Sequence, residues 1–155
     1  MSEDTVTIEI PEPRYTLLDG KRDELPEVLV VNGALRDLEH PEIFAWHLEV
    51  IIEASDLAEQ RMPTPAESKV LNALGDEIEE ALVGYNAIFL ARSTWNGFRE
   101  LVYRVYDPEV ANATLQAMTE GENARPWQFE MRHDPEWSEA NWFLQLVPAA
   151  SRHEA

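Results

Sequence analysis

Three segments of the chain carry apolar residues at helical spacing, and each begins with a capping signal. In the first, Thr64-Pro65-Ala66-Glu67 combines an N-cap threonine with a glutamate three residues later, and apolar residues follow at every fourth position from Val70 to Leu82. The second and third begin at Asp107-Pro108-Glu109 and Asp134-Pro135-Glu136. We therefore predict three helices, each followed by a residue that ends a helix: Gly84, Gly121 and Pro148.

Four other segments have the two-residue period or the apolar run of a β-strand: 44–53, 85–92, 98–106 and 127–132. Asn96-Gly97 separates the second from the third and is typical of a tight hairpin turn. From residue 44 onwards, the predicted order is βαββαβ followed by a helix. This order predicts an α+β domain with a ferredoxin-like antiparallel sheet. Its strands lie in the spatial order fourth, first, third, second, with two helices on one face.

The residues upstream of 44 predict short strands at 6–10, 15–18 and 28–31. The breaks between them are residues that interrupt strands: Pro11, Pro13, Asp19-Gly20 and Pro26. These strands either extend the sheet or cover its second face. We predict a single domain, divided into N-terminal strands and loops (1–43), the core (44–134), a terminal helix (135–147) and a tail (148–155).

Composition then limits the function. The chain has 155 residues, of which 12 are basic and 30 acidic, for a formal net charge of −18, and it has no cysteine. The lack of cysteine excludes disulfides, thiolate metal sites and cysteine nucleophiles. The negative charge opposes binding to nucleic acid or to an anionic membrane, so it serves either solubility or attraction of a basic protein partner. The first ten residues lack the pattern of a secretory signal, and we expect a cytoplasmic protein.

Three motifs resemble those of a bacterial family. They are Met62-Pro63-Thr64-Pro65-Ala66-Glu67, the hairpin from Arg92 to Glu100, and Asp134-Pro135-Glu136-Trp137. Between residues 44 and 147 the chain resembles the domain-of-unknown-function family numbered 695. That resemblance implies no reaction. Members of the family are sometimes joined to a domain similar in architecture and acidity to regulator B of ribonuclease E, so a regulatory role is implied only by analogy.

Most catalytic signatures are missing from the sequence. It contains no Gly-x-Ser-x-Gly, no Walker loop, no Gly-x-Gly-x-x-Gly and no His-Glu-x-x-His motif. The histidines are scattered without the spacing of metal ligands: His40, His47, His133 and His153. We therefore assign no catalytic residue, expect neither a cofactor nor a metal, and lean against enzymatic activity without excluding it.

The hairpin between the second and third core strands holds the densest polar cluster of the chain: Arg92, Thr94, Asn96, Arg99 and Glu100. One interpretation makes Arg92 and Arg99 a clamp for an anion or carboxylate, because a guanidinium group can bind such groups through two parallel hydrogen bonds. The other lets Thr94 and Asn96 shape the turn while the arginines pair with Glu100 or Glu130. Trp95 at the tip is expected to be exposed and accessible to a partner.

The second face of the predicted sheet is rich in polar side chains, among them His47, Glu49 and Glu100. Carboxylates on adjacent strands serve acid–base catalysis in some proteins and only face solvent in others. The leading hypothesis is a non-enzymatic protein-binding or regulatory domain that uses this face and the hairpin tip. The alternative is a small-molecule-binding protein or enzyme in which Arg92, Arg99 and His47 line a site. A structural subunit that self-associates through its last helix is a third hypothesis.

Overall fold

A computed structural model describes residues 8–82 and 86–148. The strands in these ranges are β1 (Tyr15–Arg22), β2 (Leu25–Asn32), β3 (Trp46–Glu53), β4 (Ala87–Trp95), β5 (Phe98–Val105) and β6 (Trp127–His133). The helices are α1 (Pro65–Leu82), α2 (Pro108–Glu120) and α3 (Ser138–Leu144). None of the helices in this part of the chain combines the length and the apolar character needed to cross a bilayer.

All six strands form one antiparallel sheet in the order β1-β2-β4-β5-β3-β6. The register places Leu48 of β3 opposite Tyr103 of β5 and opposite Met131 of β6. Because side chains alternate across a strand, these three residues share one face of the sheet. The predicted α+β class is confirmed, and each of the four core strands overlaps its predicted range.

Helices and turns cover both faces of the sheet. α1 and α2 pack on one side, which we call the helix face, over a core that includes Val50 and Leu101. α3 and the turns between residues 33 and 44 pack on the other side, which we call the opposite face, over Leu90 and Val102. The N-terminal region therefore does both things that the sequence allowed. β1 and β2 extend the sheet, and the segment after β2 helps to cover the opposite face.

The first helix begins with the predicted N-cap threonine. The glutamate three residues later does not bond back to the backbone of that threonine, so the reciprocal pair of hydrogen bonds called a capping box is incomplete. Thr64 Oγ1 accepts a hydrogen bond of 3.1 Å from the backbone N–H of Glu67. The backbone N–H of Thr64 donates to the carbonyl of Asp56 at 3.1 Å. The Glu67 side chain instead forms an ion pair of 2.6 Å with Arg125. A side chain that the sequence predicts as part of a local cap therefore holds the chain that leads into β6 instead.

The last helix begins later than predicted. It spans Ser138–Leu144, and the residue before it, Trp137, has a left-handed φ of 62°. Asp134, the predicted N-cap, lies further upstream. Its carboxylate nevertheless accepts hydrogen bonds from the backbone N–H groups of Ser138 at 3.0 Å and Glu139 at 2.9 Å. Asp134 thus accepts hydrogen bonds from backbone N–H groups of the first turn of α3, although residues 135–137, which are not helical, lie between them.

The N-terminal predictions need correction at the strand breaks. Asp19-Gly20 lies inside β1 and Pro26 lies inside β2, so neither interrupts a strand. The turn between these strands is at Asp23 and Glu24, whose φ angles of 53° and 70° are left-handed. The sequence pattern missed it because Asp-Glu is not a pair that marks such turns. Residues 8–10 form no strand. The rest of the predicted strand at 6–10 and the predicted helix end at Gly84 lie outside the described residues.

Candidate functional site

Arg99 is a buried arginine whose hydrogen-bond partners are neutral. β5 directs its side chain to the helix face, and only 5% of the residue is exposed. Its Nε donates to Thr94 Oγ1 and its Nη1 donates to Asn72 Oδ1, both at 2.9 Å. Among the residues that the structure describes, no ion pair includes Arg99 or Arg92.

The sheet explains why the alternative pairing with Glu100 or Glu130 does not form. The β4–β5 register directs both Arg92 and Arg99 to the helix face. Glu100 follows Arg99 in the strand, so its side chain points to the opposite face. Glu130 pairs with Arg132 of its own strand at 2.7 Å. The interpretation in which these arginines are neutralised by the two glutamates is therefore wrong.

Arg92 and Arg99 line a pocket of about 430 Å³ between α1 and the sheet, which we call the arginine pocket. α1 contributes polar residues, a leucine and a glycine, and the strands contribute aromatic and aliphatic residues together with the two arginines. The lining residues are Tyr15, Val30, Leu71, Asn72, Gly75, Asp76, Glu79, Phe89, Arg92, Arg99, Leu101 and Tyr103. The volume lies in the range of small-molecule sites, which measure roughly 300–1,000 Å³.

The two guanidinium groups are close enough to affect each other. Burial and the charge of Arg92 lower the pKa of Arg99 to about 10. Both causes disfavour the charged form, although Arg99 stays protonated at neutral pH. An anion placed between the two arginines would oppose both effects and accept charge-assisted hydrogen bonds. This part of the pocket is therefore suited to a carboxylate or a phosphate group.

The pocket also contains an acidic part. Asp76 and Glu79 project from α1, and the side chain of Tyr103 lies beside Glu79. Burial and the charge of Asp76 raise the pKa of Glu79, and burial and the charge of Glu79 raise the pKa of Tyr103. Within the described ranges, neither acid takes part in an ion pair. The pocket thus offers positive and negative groups that are not paired with each other.

Other predicted site residues lie on the opposite face, beside a buried polar network. Arg104 has no exposed surface, and its Nη1 donates to Asp134 Oδ2 at 3.0 Å and to His47 Nδ1 at 3.1 Å. Because arginine can only donate, Nδ1 of His47 is the acceptor and its Nε2 carries the proton. Burial lowers the pKa of Arg104, while the carboxylate of Asp134 opposes that change. The geometry thus assigns one tautomer to His47.

His47, Glu49 and Glu139 offer ligand atoms within 4.8 Å of one another. A cation already lies between the two carboxylates, since Arg132 Nη2 is 3.0 Å from Glu49 Oε2 and 2.6 Å from Glu139 Oε1. The nearby His47 and Arg132 side chains lower the pKa of Glu49, and hydrogen bonds from Arg132 lower that of Glu139. Nε2 of His47 carries a proton where a metal would need a lone pair. We therefore interpret this group as an ion-pair network.

Glu100 and Glu49 face a second pocket of about 470 Å³, which we call the opposite-face pocket. Trp142 of α3 forms part of its wall, and Lys21 and Arg22 also line it. Burial and the charge of Glu49 raise the pKa of Glu100. Charges of both signs therefore line this pocket, and the acidic residues, Glu27, Glu49, Glu100 and Glu139, outnumber the two basic ones.

The residues of the hairpin tip are held by contacts within the chain. Trp95 Nε1 donates to the carbonyl of Arg22 at 2.8 Å, and the Arg22 guanidinium lies 3.8 Å from the centroid of the Trp95 ring. Asn96 Oδ1 accepts a hydrogen bond of 2.6 Å from Arg61 Nε. The expectation that Trp95 is exposed is wrong, because the end of β1 half-buries it. Trp142 is instead 50% exposed.

The structure divides the predicted site residues among three places: the arginine pocket, the opposite-face pocket and the hairpin tip. Arg92 and Arg99 meet in the arginine pocket, where Thr94 supports Arg99. His47 faces away from them, contrary to the alternative in which all three line one site. Sequence reasoning missed the polar residues of α1 in the pocket: Asn72, Asp76 and Glu79. Their helical spacing shows that they share one side of α1, but it does not show which strand residues face them.

The fold and site define a class of protein: an α+β domain in which helices cover both faces of one antiparallel sheet, with a charged pocket beneath the first helix. The chain belongs to the Family of unknown function (DUF695), whose model matches residues 16–145. The match confirms the resemblance and extends it upstream to include β1 and β2. No match was found among curated proteins or among solved structures.

Proposed function

We propose that this chain is a ligand-binding domain that takes a small molecule with a carboxylate or phosphate group into the arginine pocket. One observation carries the proposal. Arg92 and Arg99 line the same pocket, and neither has a carboxylate partner among the described residues. A buried charge without a partner is costly, and a bound anion would supply the missing counter-charge.

The partners of the other described arginines can be compared with those of Arg92 and Arg99. Five of them pair with a carboxylate: Arg14, Arg22, Arg104, Arg125 and Arg132. Arg36 donates to the backbone carbonyls of Leu144 and Val147, and Arg61 donates to Asn96. Four of the nine described arginines thus lack a carboxylate partner, and Arg92 and Arg99 are the two of these that line the same pocket, where one external anion could contact both.

The rest of the pocket indicates a ligand with an apolar body. The ring of Phe89 lies edge-on to Tyr15, with centroids 6.0 Å apart, and edge-on to Tyr103 at 5.7 Å. These rings and the side chains of Leu71 and Leu101 bound the space next to the arginines. Such a surface favours carbon-rich ligands over inorganic phosphate alone, because apolar area leaves water on binding.

Calorimetric titration with benzoate and with phenyl phosphate tests the proposal. We expect Arg92→Gln and Arg99→Gln each to weaken binding at least tenfold, which corresponds to about 1.4 kcal/mol. Arg14→Gln is the matched control, because Arg14 is half-exposed and pairs with Asp37 outside the pocket. Melting curves verify that each variant is folded. Arg92 is less buried than Arg99, so its variant keeps the test valid if Arg99→Gln unfolds. Wild-type protein that binds neither probe, or equal binding by all variants, would overturn the proposal.

A second candidate function, binding of a basic protein partner, rests on the opposite-face pocket. There Glu49 and Glu100 lie near the exposed ring of Trp142, a combination that suits a lysine or arginine side chain. The analogy with regulator B of ribonuclease E belongs to this candidate. We expect Glu100→Lys and high salt to weaken capture of a basic peptide, whereas Glu77→Lys on the exposed side of α1 should not. Capture that is unchanged by Glu100→Lys and by salt would contradict it.

We also propose a ferredoxin-like arrangement for the core. The order β6-β3-β5-β4 supports it, since these strands are the fourth, first, third and second of the core along the chain. α1 and α2 both pack on the helix face, as that arrangement requires. The absence of cysteine supports a cytoplasmic location, which is likewise a proposal.

A further inference from the structure

β6 lies at one edge of the sheet and pairs with β3 on one side only. Two backbone hydrogen bonds fix the phase of this ladder. The Glu53 N–H donates to the carbonyl of Pro126 at 3.0 Å, and the Asp134 N–H donates to the carbonyl of Ala45 at 2.7 Å. Hydrogen-bonded and non-hydrogen-bonded pairs alternate in an antiparallel ladder. The even-numbered residues of β6 therefore bond to β3, and the odd-numbered ones direct their backbone groups outward.

The residues with outward N–H and C=O groups are Trp127, Phe129, Met131 and His133. Among the described residues, no other strand and no loop backbone pairs with these groups. β6 contains no proline, and its register with β3 runs without a bulge from residue 127 to residue 133. Prolines and bulges protect edge strands from pairing with another chain. The backbone of β6 can therefore accept a further strand.

The opposite edge of the sheet is less suited to strand addition. β1 carries Asp19, Gly20, Lys21 and Arg22 in its second half. Glycine weakens a strand, and charged side chains, lysine above all, oppose pairing at an edge. The two edges thus differ in sequence, and β6 is the one that favours a partner strand.

The side chains of β6 form one wall of a groove of about 680 Å³ beside α2, which we call the edge groove. Trp127, Phe129 and Met131 are half-buried there on the helix face, and they pack against the core beneath α2. The α2 wall is polar and includes Asn112, Gln116 and Thr119. Side chains alternate across a strand, so every second side chain of an added strand would enter the edge groove. Apolar side chains suit these positions, because they would cover the aromatic wall.

The charged residues that line the edge groove are both acidic: Glu109 of α2 and Glu130 of β6. Within the described ranges, Glu109 forms no ion pair, and Glu130 shares its partner Arg132 with two other glutamates. A second copy of this chain would bring another net charge of −18 to the same edge. Like charges oppose that association, whereas basic side chains complement the groove.

We propose that β6 binds an extended, basic segment of a partner protein, which adds a seventh strand to the six-stranded sheet. Alternate apolar side chains of this segment enter the edge groove, and the lysine or arginine side chains between them lie beside Glu130. The interaction does not depend on the proposed function, because its backbone contacts are made along β6 and not in the arginine pocket.

Amide hydrogen exchange of the full chain, measured by NMR, tests the strand addition directly. The probe is a heptapeptide that alternates lysine and valine and is blocked at both ends, since β6 has seven residues. We expect the Phe129 and Met131 amides to exchange at least tenfold more slowly with the peptide bound, because they become hydrogen-bonded. Unchanged exchange at both amides in the presence of saturating peptide would overturn the proposal.

Leu17 provides the internal control on the other edge. The Gly33 N–H donates to the carbonyl of Arg14 at 2.9 Å, so the alternation along β1 directs the Leu17 N–H away from β2. Its exchange should not respond to the peptide. Slower exchange at Leu17 instead of Met131 would mean that β1 is the binding edge.

Proline variants test the same contact through affinity. Met131→Pro removes an outward N–H and keeps the bonds between β6 and β3. We expect it to bind the peptide at least tenfold more weakly than Met131→Ala, which also loses the side chain but retains the N–H. Leu17→Pro makes the matched change on β1 and should bind as the wild type does. Equal binding by the two Met131 variants would contradict the addition of a strand.

Further measurements distinguish the occupant. A peptide with glutamate in place of lysine should bind at least tenfold more weakly; equal affinity would contradict the basic segment. Binding that is lost in Glu100→Lys and kept in Met131→Pro would place the peptide in the opposite-face pocket and overturn the proposal. Sedimentation of the peptide-free protein should show a monomer. A dimer that Met131→Pro dissociates would identify a second copy as the occupant and would also overturn it.

Discussion

Nη1 of Arg99 donates a hydrogen bond of 2.9 Å to Oδ1 of Asn72, which joins β5 to α1 across the arginine pocket. The acceptor is an amide, so the bond orients the guanidinium without cancelling its charge. A carboxylate at residue 72 would do both. Under the proposed function, the amide at residue 72 therefore leaves the charge of Arg99 available for a bound anion.

Asn72→Asp should therefore stabilise the free protein and weaken anion binding. The present hydrogen bond joins a charged guanidinium to a neutral amide, and a carboxylate acceptor would convert it into an ion pair, which adds about 1–2 kcal/mol. Repulsion from Asp76, one turn away, offsets a few tenths of this gain. We expect the melting temperature to rise by about 2–4 °C, and benzoate affinity to fall at least tenfold.

Asn112→Asp is the control for that experiment, because it makes the same chemical change on an exposed position of α2. It should leave benzoate binding unchanged. If Asn72→Asp binds benzoate as well as the wild type does, the charge of Arg99 has no part in binding.

Glu67→Gln should destabilise the fold and alter its response to acid. Glu67 is 1% exposed, pairs with Arg125 and accepts a hydrogen bond of 2.7 Å from the Ser55 backbone N–H. We expect a loss of about 1–3 kcal/mol in the free energy of unfolding, measured with urea at pH 7. Glu77→Gln, at an exposed position of α1, should change it by less than about 0.5 kcal/mol.

The pH window of the Glu67 contribution follows from its pKa. Hydrogen bonding to Arg125 lowers this pKa from 4.5 to about 2, so the unfolded chain binds a proton at higher pH than the folded one does. The contribution of Glu67 is present above pH 4.5 and is lost as the pH falls towards 2. The urea-derived free energy of Glu67→Gln should therefore decline less steeply than that of the wild type across this window. Parallel declines would contradict the assigned ion pair.

Asp134→Asn should be among the most destabilising single changes. It removes the carboxylate that pairs with the fully buried Arg104 and accepts hydrogen bonds from the first turn of α3. Breaking a buried ion pair in this way costs about 3–5 kcal/mol. Asp37→Asn, which removes an exposed pair with Arg14, should cost at most about 1 kcal/mol. Similar urea midpoints for the two variants would show that Arg104 does not depend on Asp134.

Gly75→Ala should stabilise the protein. Gly75 lies within α1, and the added methyl group would meet Leu101 only at ordinary contact distance, 3.6 Å. Replacing a helical glycine by alanine adds about 0.5–1 kcal/mol, because glycine loses more backbone entropy on folding. Thermal unfolding measures the gain. A lower melting temperature would mean that the floor of the arginine pocket is more tightly packed than this contact indicates.

The sequence by itself determined the elements of the core and the faces of its strands. Alternation along β3 separated Leu48 and Val50 from His47 and Glu49, and the structure keeps that division. Asn96-Gly97 marked the turn between β4 and β5, where both residues have left-handed φ angles. These features are local, since periodicity, caps and turn residues act over a few positions of the chain. Asp23-Glu24 was missed because its turn uses residues without a strong local preference.

Only the tertiary structure decided which side chains form a site. Asn72 and Arg99 are 27 residues apart in the chain, and Arg104 and Asp134 are 30 apart, so the packing of helices against the sheet brings each pair together. From the sequence alone, Arg92 and Arg99 could either bind an external anion or pair with a glutamate of the chain. In the folded chain, Arg92 and Arg99 lie on the helix face and Glu100 lies on the opposite face. The residue of α1 that accepts a hydrogen bond from Arg99 is Asn72, a neutral amide. Among the described residues neither arginine has a counter-charge. This arrangement, on which the proposed function depends, is a property of the packing, because Coulomb interactions depend on distance in space rather than on separation along the chain.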